Sequence, residues 1–422
     1  MRFSRNIISL RSKTITAMAK LKISNFGPIK DAELDFKKVN ILIGQQGAGK
    51  SCILKIAAFC MWIEKVYLSG EIADLQRNIS KKEFVEKYLL EFYKLDDLAK
   101  VSEKNNTRIV YNSKDGLTID IEFKKNSNDW YNVVDKQSVI MSRRVAYIPT
   151  ERCLASAVPN LMGLRINQNT NIYKYLVDWE DARKIYSDNN KFDVLDLNAS
   201  FFYDEKTSTD FLSVNNNGEI RFTNAASGFQ SIVPLCILSN YYLNNGQILS
   251  MKEKQRVNDL KKLIDYYAGA KQDDVVKIIK GNIDNINNKR SCALFLEEPE
   301  ANIYPETQYN LVKWLVSALK NGQDNSIFMA THSPYIITVT NNLIYAAKVG
   351  KHHPEKIRNL IPENMWLTSD NVAAYIIKDG TAQSIVDEEL GEIDPEFIDS
   401  ISQTINHEYG QMRNIEYGTE ED

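Results

Sequence analysis

Cysteine, charge of one sign and long apolar runs are what this sequence has least of, and each shortage removes a class of protein. The five cysteines, Cys52, Cys60, Cys153, Cys236 and Cys292, are scattered, odd in number and mostly set in apolar runs. They read as reduced core thiols, which excludes a disulfide framework or a thiolate metal site. A membrane span needs about eighteen uninterrupted apolar residues, and the best candidate, Cys52 to Ile63, is short and cut by Lys55. Lys and Arg total 52 against 55 Asp and Glu, leaving −3. That balance excludes a uniformly basic nucleic-acid coat and allows only a local basic patch. The first residues carry Arg2, Arg5, Arg11, Lys13 and Lys20 with no acid, yet lack the apolar core and small-residue cleavage site of a secretory signal. The expectation is a cytoplasmic protein, with no membrane partner, a disordered extension over residues 1–17 and a natural start at Met18.

With 43% hydrophobic and 25% charged residues, the chain has a globular composition and fills one large elaborated domain or two. Its organising stretch is Val39-Asn40-Ile41-Leu42-Ile43, an apolar run that breaks into Gly44-Gln45-Gln46-Gly47-Ala48-Gly49-Lys50-Ser51. The spacing G-x-x-x-x-G-K-S lets backbone N–H groups approach phosphate oxygens, and a helix starting near Lys50 adds the field of its N-terminus. Lys50 is then placed to reach the β- and γ-phosphates of a nucleotide, and Ser51 to put its hydroxyl on Mg²⁺.

Around this stretch the patterning alternates strands and helices. Leu21 to Ser24 and Ala32 to Phe36 alternate at period two across Gly27-Pro28, which predicts a hairpin. Cys52 to Tyr67 is apolar on nearly every side, as a helix buried against a sheet would be. Ser80-Lys-Lys-Glu83 is a capping box ahead of a compact helical insertion. A second hairpin is expected over Thr107 to Tyr111 and Leu117 to Phe123, a mixed helix over Asn171 to Tyr186, and strands at Phe201 to Tyr203, Phe211 to Val214 and Glu219 to Thr223, with a turn at Asn215 to Gly218. Residues 252–288 read as two exposed helices. Further on come a helix over Gln308 to Leu319, an apolar segment Leu343 to Lys348, a strand at Asn371 to Ile377, a turn at Asp379-Gly380, a helix from Pro395 to Tyr409 and an acidic tail.

Three later stretches carry chemistry. Asn224-Ala-Ala-Ser227-Gly228 runs into the apolar segment Ile232 to Tyr242; Ser227 is a candidate N-cap and Gly228 leaves the helix end open, which makes either a plain cap or a second anion site. Ser291 to Leu296 ends in Glu297-Glu298-Pro299-Glu300. An apolar run ending in carboxylates is a parallel strand opening on a metal–nucleotide site, or else an acidic loop, and Pro299 ends the strand. Ser326 to Thr331 is a buried strand followed by His332-Ser333-Pro334. His352-His353 lacks acidic or cysteine company at ligand spacing and reads as a surface pair.

The opening "LKISNFGPIKDAELDFKKVNILIGQQGAGKS", together with Ser227-Gly228, "LEEPEANIYPETQ" and His332, resembles the ABC-type ATPase heads of SMC, RecF-like and overcoming-lysogenization-defect proteins. That resemblance implies an α/β P-loop NTPase fold with a mixed central sheet, an antiparallel β subdomain and helical insertions. It implies an ATPase domain over 18–349, with insertions near 69–100 and 250–288, and a C-terminal α/β extension over 350–422. It implies ATP and Mg²⁺ as cofactors, with Gly44 to Ser51 as the cradle, Glu297 orienting the metal with Ser51, Glu298 polarising the attacking water, and His332 sensing the γ-phosphate. Ser227 and Gly228 correspond to the signature motif, which meets the nucleotide of a second subunit, so a homodimer closed on ATP is expected. Val145 to Pro149 leads into Thr150-Glu151-Arg152, where the family has a glutamine; Glu151 and Arg152 are either that loop's equivalent or an ordinary salt-bridged corner. "YIPTER" and "LEEPEANIYPETQ" resemble strings of bacterial defence ATPases, Septu- and PARIS-type among them. The residues after His332 lack the spaced acids of a TOPRIM nuclease. The function implied is a nucleotide-gated dimeric sensor or scaffold in antiphage defence that regulates a separate effector such as a nuclease. A RecF-type nucleic-acid-binding repair ATPase is the alternative, and a transporter ATPase a third.

Overall fold

The computed structural model describes residues 19–417 apart from 69–70, 103–105, 115, 125, 136–141, 158–165, 215–217, 245–250, 271, 289, 320–323, 388 and 395–399. The expected extension over 1–17, part of the turn at Asn215 to Gly218, and the last residues of the acidic tail lie outside these.

Fifteen strands set the frame. The expected first hairpin is β1 (Lys20–Phe26) and β2 (Ile29–Asp35), antiparallel with Phe26 opposite Ile29, and β3 (Val39–Ile43) feeds the glycine loop. The second hairpin is β4 (Arg108–Asn112) and β5 (Leu117–Glu122), extended by β6 (Tyr131–Asp135). Then come β7 (Ser142–Ile148), the short β8 (Phe192–Asp193), β9 (Ala199–Asp204), β10 (Thr209–Val214) and β11 (Glu219–Arg221). The last four named are β12 (Arg290–Glu297), β13 (Ser326–Thr331), β14 (Val372–Lys378) and β15 (Thr381–Ser384).

An eleven-stranded mixed sheet runs β6-β5-β4-β1-β2-β15-β14-β3-β13-β12-β7. Its β14-β3-β13-β12-β7 half is parallel, and the β6-β5-β4-β1-β2 half antiparallel. Strands β8 to β11 form a separate antiparallel sheet. The α/β fold with a mixed sheet and an antiparallel subdomain is therefore as expected.

Side chains along the parallel strands alternate between two cores, because successive strand residues point to opposite faces. Cys292, Leu294 and Leu296 join Ile327, Met329, Val39 and Ile41 on one face, under the helices Asn171–Arg183, Ser227–Leu243, Pro305–Leu319 and Pro334–Gly350. Ala293, Phe295, Phe328 and Leu42 face the other way, against the helix Lys50–Leu68. Burial on both faces is why these strands read as continuous apolar runs.

The insertions differ in attachment. Ser80 and Glu83 form the expected capping box, and Phe84 stacks on Trp62 of the helix Lys50–Leu68. The helices Met251–Gly269 and Asp273–Asn288 pack on each other through Val257, Ile279 and Ile283, a small core of their own.

Leu343 to Lys348 is the interior of the helix Pro334–Gly350, which Ser333 caps by accepting the Tyr335 N–H at 3.2 Å. Past residue 350, β14 lies between β3 and β15 inside the main sheet, with Val372 to Ile377 apolar toward both cores. The final helix is Ser400–Tyr417, and the expected start at Pro395 lies outside the described residues.

Candidate functional site

The glycine loop is squeezed between two neighbours that sequence patterning does not name. A Cβ on Gly44 would stand 2.3 Å from the Ile377 carbonyl oxygen at the end of β14. Gly49, at φ +105°, would bring a Cβ to 2.3 Å from Ile29 Cδ1 in the first hairpin. Gln45, Gln46 and Gly47 are exposed, Ala48 and Ser51 half-buried, and the helix begins at Lys50. The exposed residues of the loop lie just ahead of that helix N-terminus, where backbone N–H groups favour anions.

Lys50 is buried at its base, and its ammonium donates to the carbonyls of Gly44 and Gln45 at 2.8 and 2.9 Å. Burial lowers its pKa, and the charges of Glu298 and Glu300 partly oppose that shift. The same Nζ lies 3.4 Å from His332 Nδ1, and His332 Nε2 lies 3.6 Å from Glu298 Oε1. Three segments distant in sequence therefore meet at one point.

Strand alternation places Glu297 on the face of Phe295, toward the helix Lys50–Leu68. Its carboxylate lies 3.6 Å from Lys55 Nζ, one helical turn beyond Ser51. Oε2 accepts from the N–H and the hydroxyl of Thr150 at 3.4 Å, whereas Oε1 is buried without a hydrogen-bond partner. Burial and the Glu297 charge push the neighbouring Tyr147 hydroxyl well above its ordinary range. Glu298 breaks the strand: its φ is +41°, and its N–H donates to the Ala330 carbonyl at 2.8 Å.

Two residues to which sequence reasoning gave no role at the site complete the cluster. Glu300 Oε1 accepts the His332 backbone N–H at 2.6 Å, tying that histidine to the acidic loop, while its other oxygen is buried and unpartnered. Arg152 is 1% exposed and forms no surface corner: it donates to the carbonyls of Glu297 at 2.9 Å and Glu298 at 2.7 Å. The signal that could have found it was an arginine directly after a core strand, where a free cation is costly unless it has partners. Glu151, its neighbour, is exposed.

The N-cap is Ala226, not Ser227: Ala226 already has the extended backbone, Ser227 is the first helical residue, and no side chain caps the end. A Cβ on Gly228 would stand 3.1 Å from the Asn302 carbonyl oxygen, and Ser231 Oγ donates to the Ala301 carbonyl at 2.8 Å. The helix start leans on the segment that follows the carboxylates. No hydrogen bond or ion pair among the described residues brings Ser227 or Gly228 to Lys50 of the same chain.

A hard divalent cation fits this donor set. Ser51 and Glu297 offer oxygen ligands, Oε1 of Glu297 is buried with no hydrogen bond and only the Lys55 ammonium at 3.6 Å beside it, and Mg²⁺ takes one or two protein oxygens plus phosphates, not an all-protein cage. No group of three or more His, Cys, Asp or Glu suited to a metal occurs among the described residues.

A family model described as an AAA domain matches residues 20–293, well over half of the chain. The chain belongs to the AAA domain family. Within this AAA domain protein the match takes in the glycine loop, Arg152 and Ser227 but ends before Glu297, so the carboxylate and histidine half of the site rests on the structure. No curated protein matches the chain. Among solved structures it is similar to the SMC head domain from Thermotoga maritima, at 8% identity and TM-score 0.37, covering 87% of this chain and 98% of that one. It is also similar to an Smc head with an extended coiled coil bound to the C-terminal domain of ScpA, derived from Pyrococcus furiosus, at 10% identity, TM-score 0.36 and coverage of 87% and 96%. An ATP-binding cassette of an ABC transporter in its ADP conformation matches at 10% identity, TM-score 0.29 and coverage of 87% and 90%. No helix among the described residues is long and apolar enough to cross a membrane.

Proposed function

We propose that this AAA domain protein is an ABC-type ATPase that binds ATP through Gly44 to Ser51 and hydrolyses it between two copies of itself. The observation that carries the reading is the convergence of Lys50, His332 and Glu298, with 3.4 and 3.6 Å between successive side chains. Lys50 would exchange its two loop carbonyls for β- and γ-phosphate oxygens. Glu298, half-exposed beside the histidine, would accept the proton of the attacking water. His332 would hold its ring between the lysine and that carboxylate. Mg²⁺, held by Ser51 and Glu297, would supply charge neutralisation at the phosphates. Lys50 bonds Gly44, Gln45 and His332 and makes no hydrogen bond to Ser227 or Gly228 among the described residues; on this reading those two would serve the nucleotide of a second copy.

ATP-dependent closure would then make a switch, since nucleotide bound between two copies favours the closed dimer by its differential affinity. The further reading, a sensor or scaffold that controls a separate effector such as a nuclease in antiphage defence, is supported by the strings Tyr147 to Arg152 and Leu296 to Gln308. The test is ATP hydrolysis and light-scattering mass of the wild type beside Lys50→Ala. Turnover and an ATP-dependent dimer, both lost in the variant, are expected; a wild-type chain that binds no ATP overturns the reading. For the defence role, a host carrying the gene should restrict phage and Lys50→Ala should not.

A further inference from the structure

The acidic loop after β12 has an unusual backbone. Glu298 is a non-glycine residue at φ +41°, in the sparsely populated left-handed region, and such strain persists only where surroundings over-determine it. Its N–H is taken by the Ala330 carbonyl at 2.8 Å, and its carbonyl accepts the Ala301 N–H at 2.9 Å. The remaining restraint comes from across the sheet, where the Arg152 fork spans the carbonyls of Glu297 and Glu298. Two parallel donors fix the relative direction of two successive carbonyls, and hence the peptide plane from which the Glu298 side chain departs. Arg152 is itself held: the Tyr175 hydroxyl, on the buried helix Asn171–Arg183, donates to its carbonyl at 2.6 Å.

We infer that Arg152 is a positioning residue for hydrolysis, which sets the left-handed turn at Glu298 and so aims its carboxylate, without itself touching nucleotide. The inference rests on the ATPase reading above. A lysine at this position keeps the charge but presents one ammonium in place of the fork, so it cannot orient both carbonyls. Glu298 would then relax toward ordinary strand geometry, and misplacing a reacting group by about 1 Å costs up to about a hundredfold in rate.

The experiment compares wild type, Arg152→Lys, Tyr175→Phe and Arg152→Lys in a Glu298→Gln background. Nucleotide affinity, steady-state hydrolysis and thermal midpoints are measured for each. Arg152→Lys should keep ATP affinity within about twofold and lower kcat about tenfold to a hundredfold, with Tyr175→Phe showing a smaller loss of the same kind. In the Glu298→Gln background Arg152→Lys should add little further loss, because the carboxylate it aims is gone. Unchanged kcat in Arg152→Lys overturns the inference and leaves the ATPase reading intact. So do equal falls in affinity and thermal midpoint with kcat preserved, or full additivity in the double variant. If Arg152→Lys does not fold, Tyr175→Phe decides alone: a normal kcat overturns the inference. A wild type that binds no ATP removes both.

Discussion

Nε2 of His332 lies 3.6 Å from Oε1 of Glu298, and the opposite ring nitrogen faces an ammonium, Lys50 Nζ at 3.4 Å. An ammonium can only donate, so Nδ1 is the acceptor, and in the neutral ring the proton sits on Nε2, toward the carboxylate. The tautomer follows from the donor chemistry of its neighbours. The Glu300 carboxylate, holding the His332 N–H at 2.6 Å, keeps the ring in that place. Removing the ring while leaving the cradle intact should therefore affect turnover more than binding. His332→Ala is expected to lower kcat about tenfold to a hundredfold, with ATP affinity changed only a few-fold, by steady-state assay and fluorescence titration.

On the proposed reading, Lys50 and Glu298 would separate binding from chemistry. Lys50→Ala removes the cation aimed at the phosphates and should abolish ATP binding. Glu298→Gln keeps the shape, loses the proton acceptor, and should retain ATP while turnover falls at least about a hundredfold. Gel filtration with ATP should then trap a dimer; ordinary turnover in this variant would remove Glu298 from its role.

Ser227 is exposed at the first turn of its helix, with Gly228 packed near the Asn302 carbonyl. Ser227→Arg adds bulk and charge to this exposed helix start. It should block ATP-dependent dimerisation while single-site nucleotide binding persists, as read by light scattering and calorimetry.

Gly44 has no room for a methyl group, since its Cβ would stand 2.3 Å from the Ile377 carbonyl oxygen. Gly44→Ala must displace either the loop or β14, at a cost of about 1–3 kcal/mol. A lower thermal midpoint together with weakened ATP binding is expected; a normal midpoint would mean that the loop alone absorbs the change.

The lowered pKa of Lys50 has a sign that can be read out. Its charge is lost as pH rises through the depressed folded-state value, so ATP affinity should fall on the alkaline side, below the ordinary lysine value of 10.5. In the same window the unfolded chain binds the extra proton, so this lysine's contribution to stability rises with pH. Lys50→Arg, which does not titrate there, should flatten the alkaline limb of the binding curve.

The sequence by itself determined local matters: a strand, glycine loop and helix at Val39 to Ser51, the Ser80 and Glu83 cap, and a core strand ending in consecutive glutamates. These follow from periodicity, capping chemistry and backbone permissiveness, which act over a few residues. It placed Ser227 one position too far out as a cap, because whether Ser227 or Ala226 turns extended depends on packing against Ala301 and Asn302. Only the tertiary structure decided that β14 lies against the phosphate loop, that Glu300 holds His332, and that Arg152 reaches the carbonyl of Glu297 across 145 residues of chain. Strand order and the pairing of buried polar groups are properties of the assembled sheet, and no spacing along the chain encodes them.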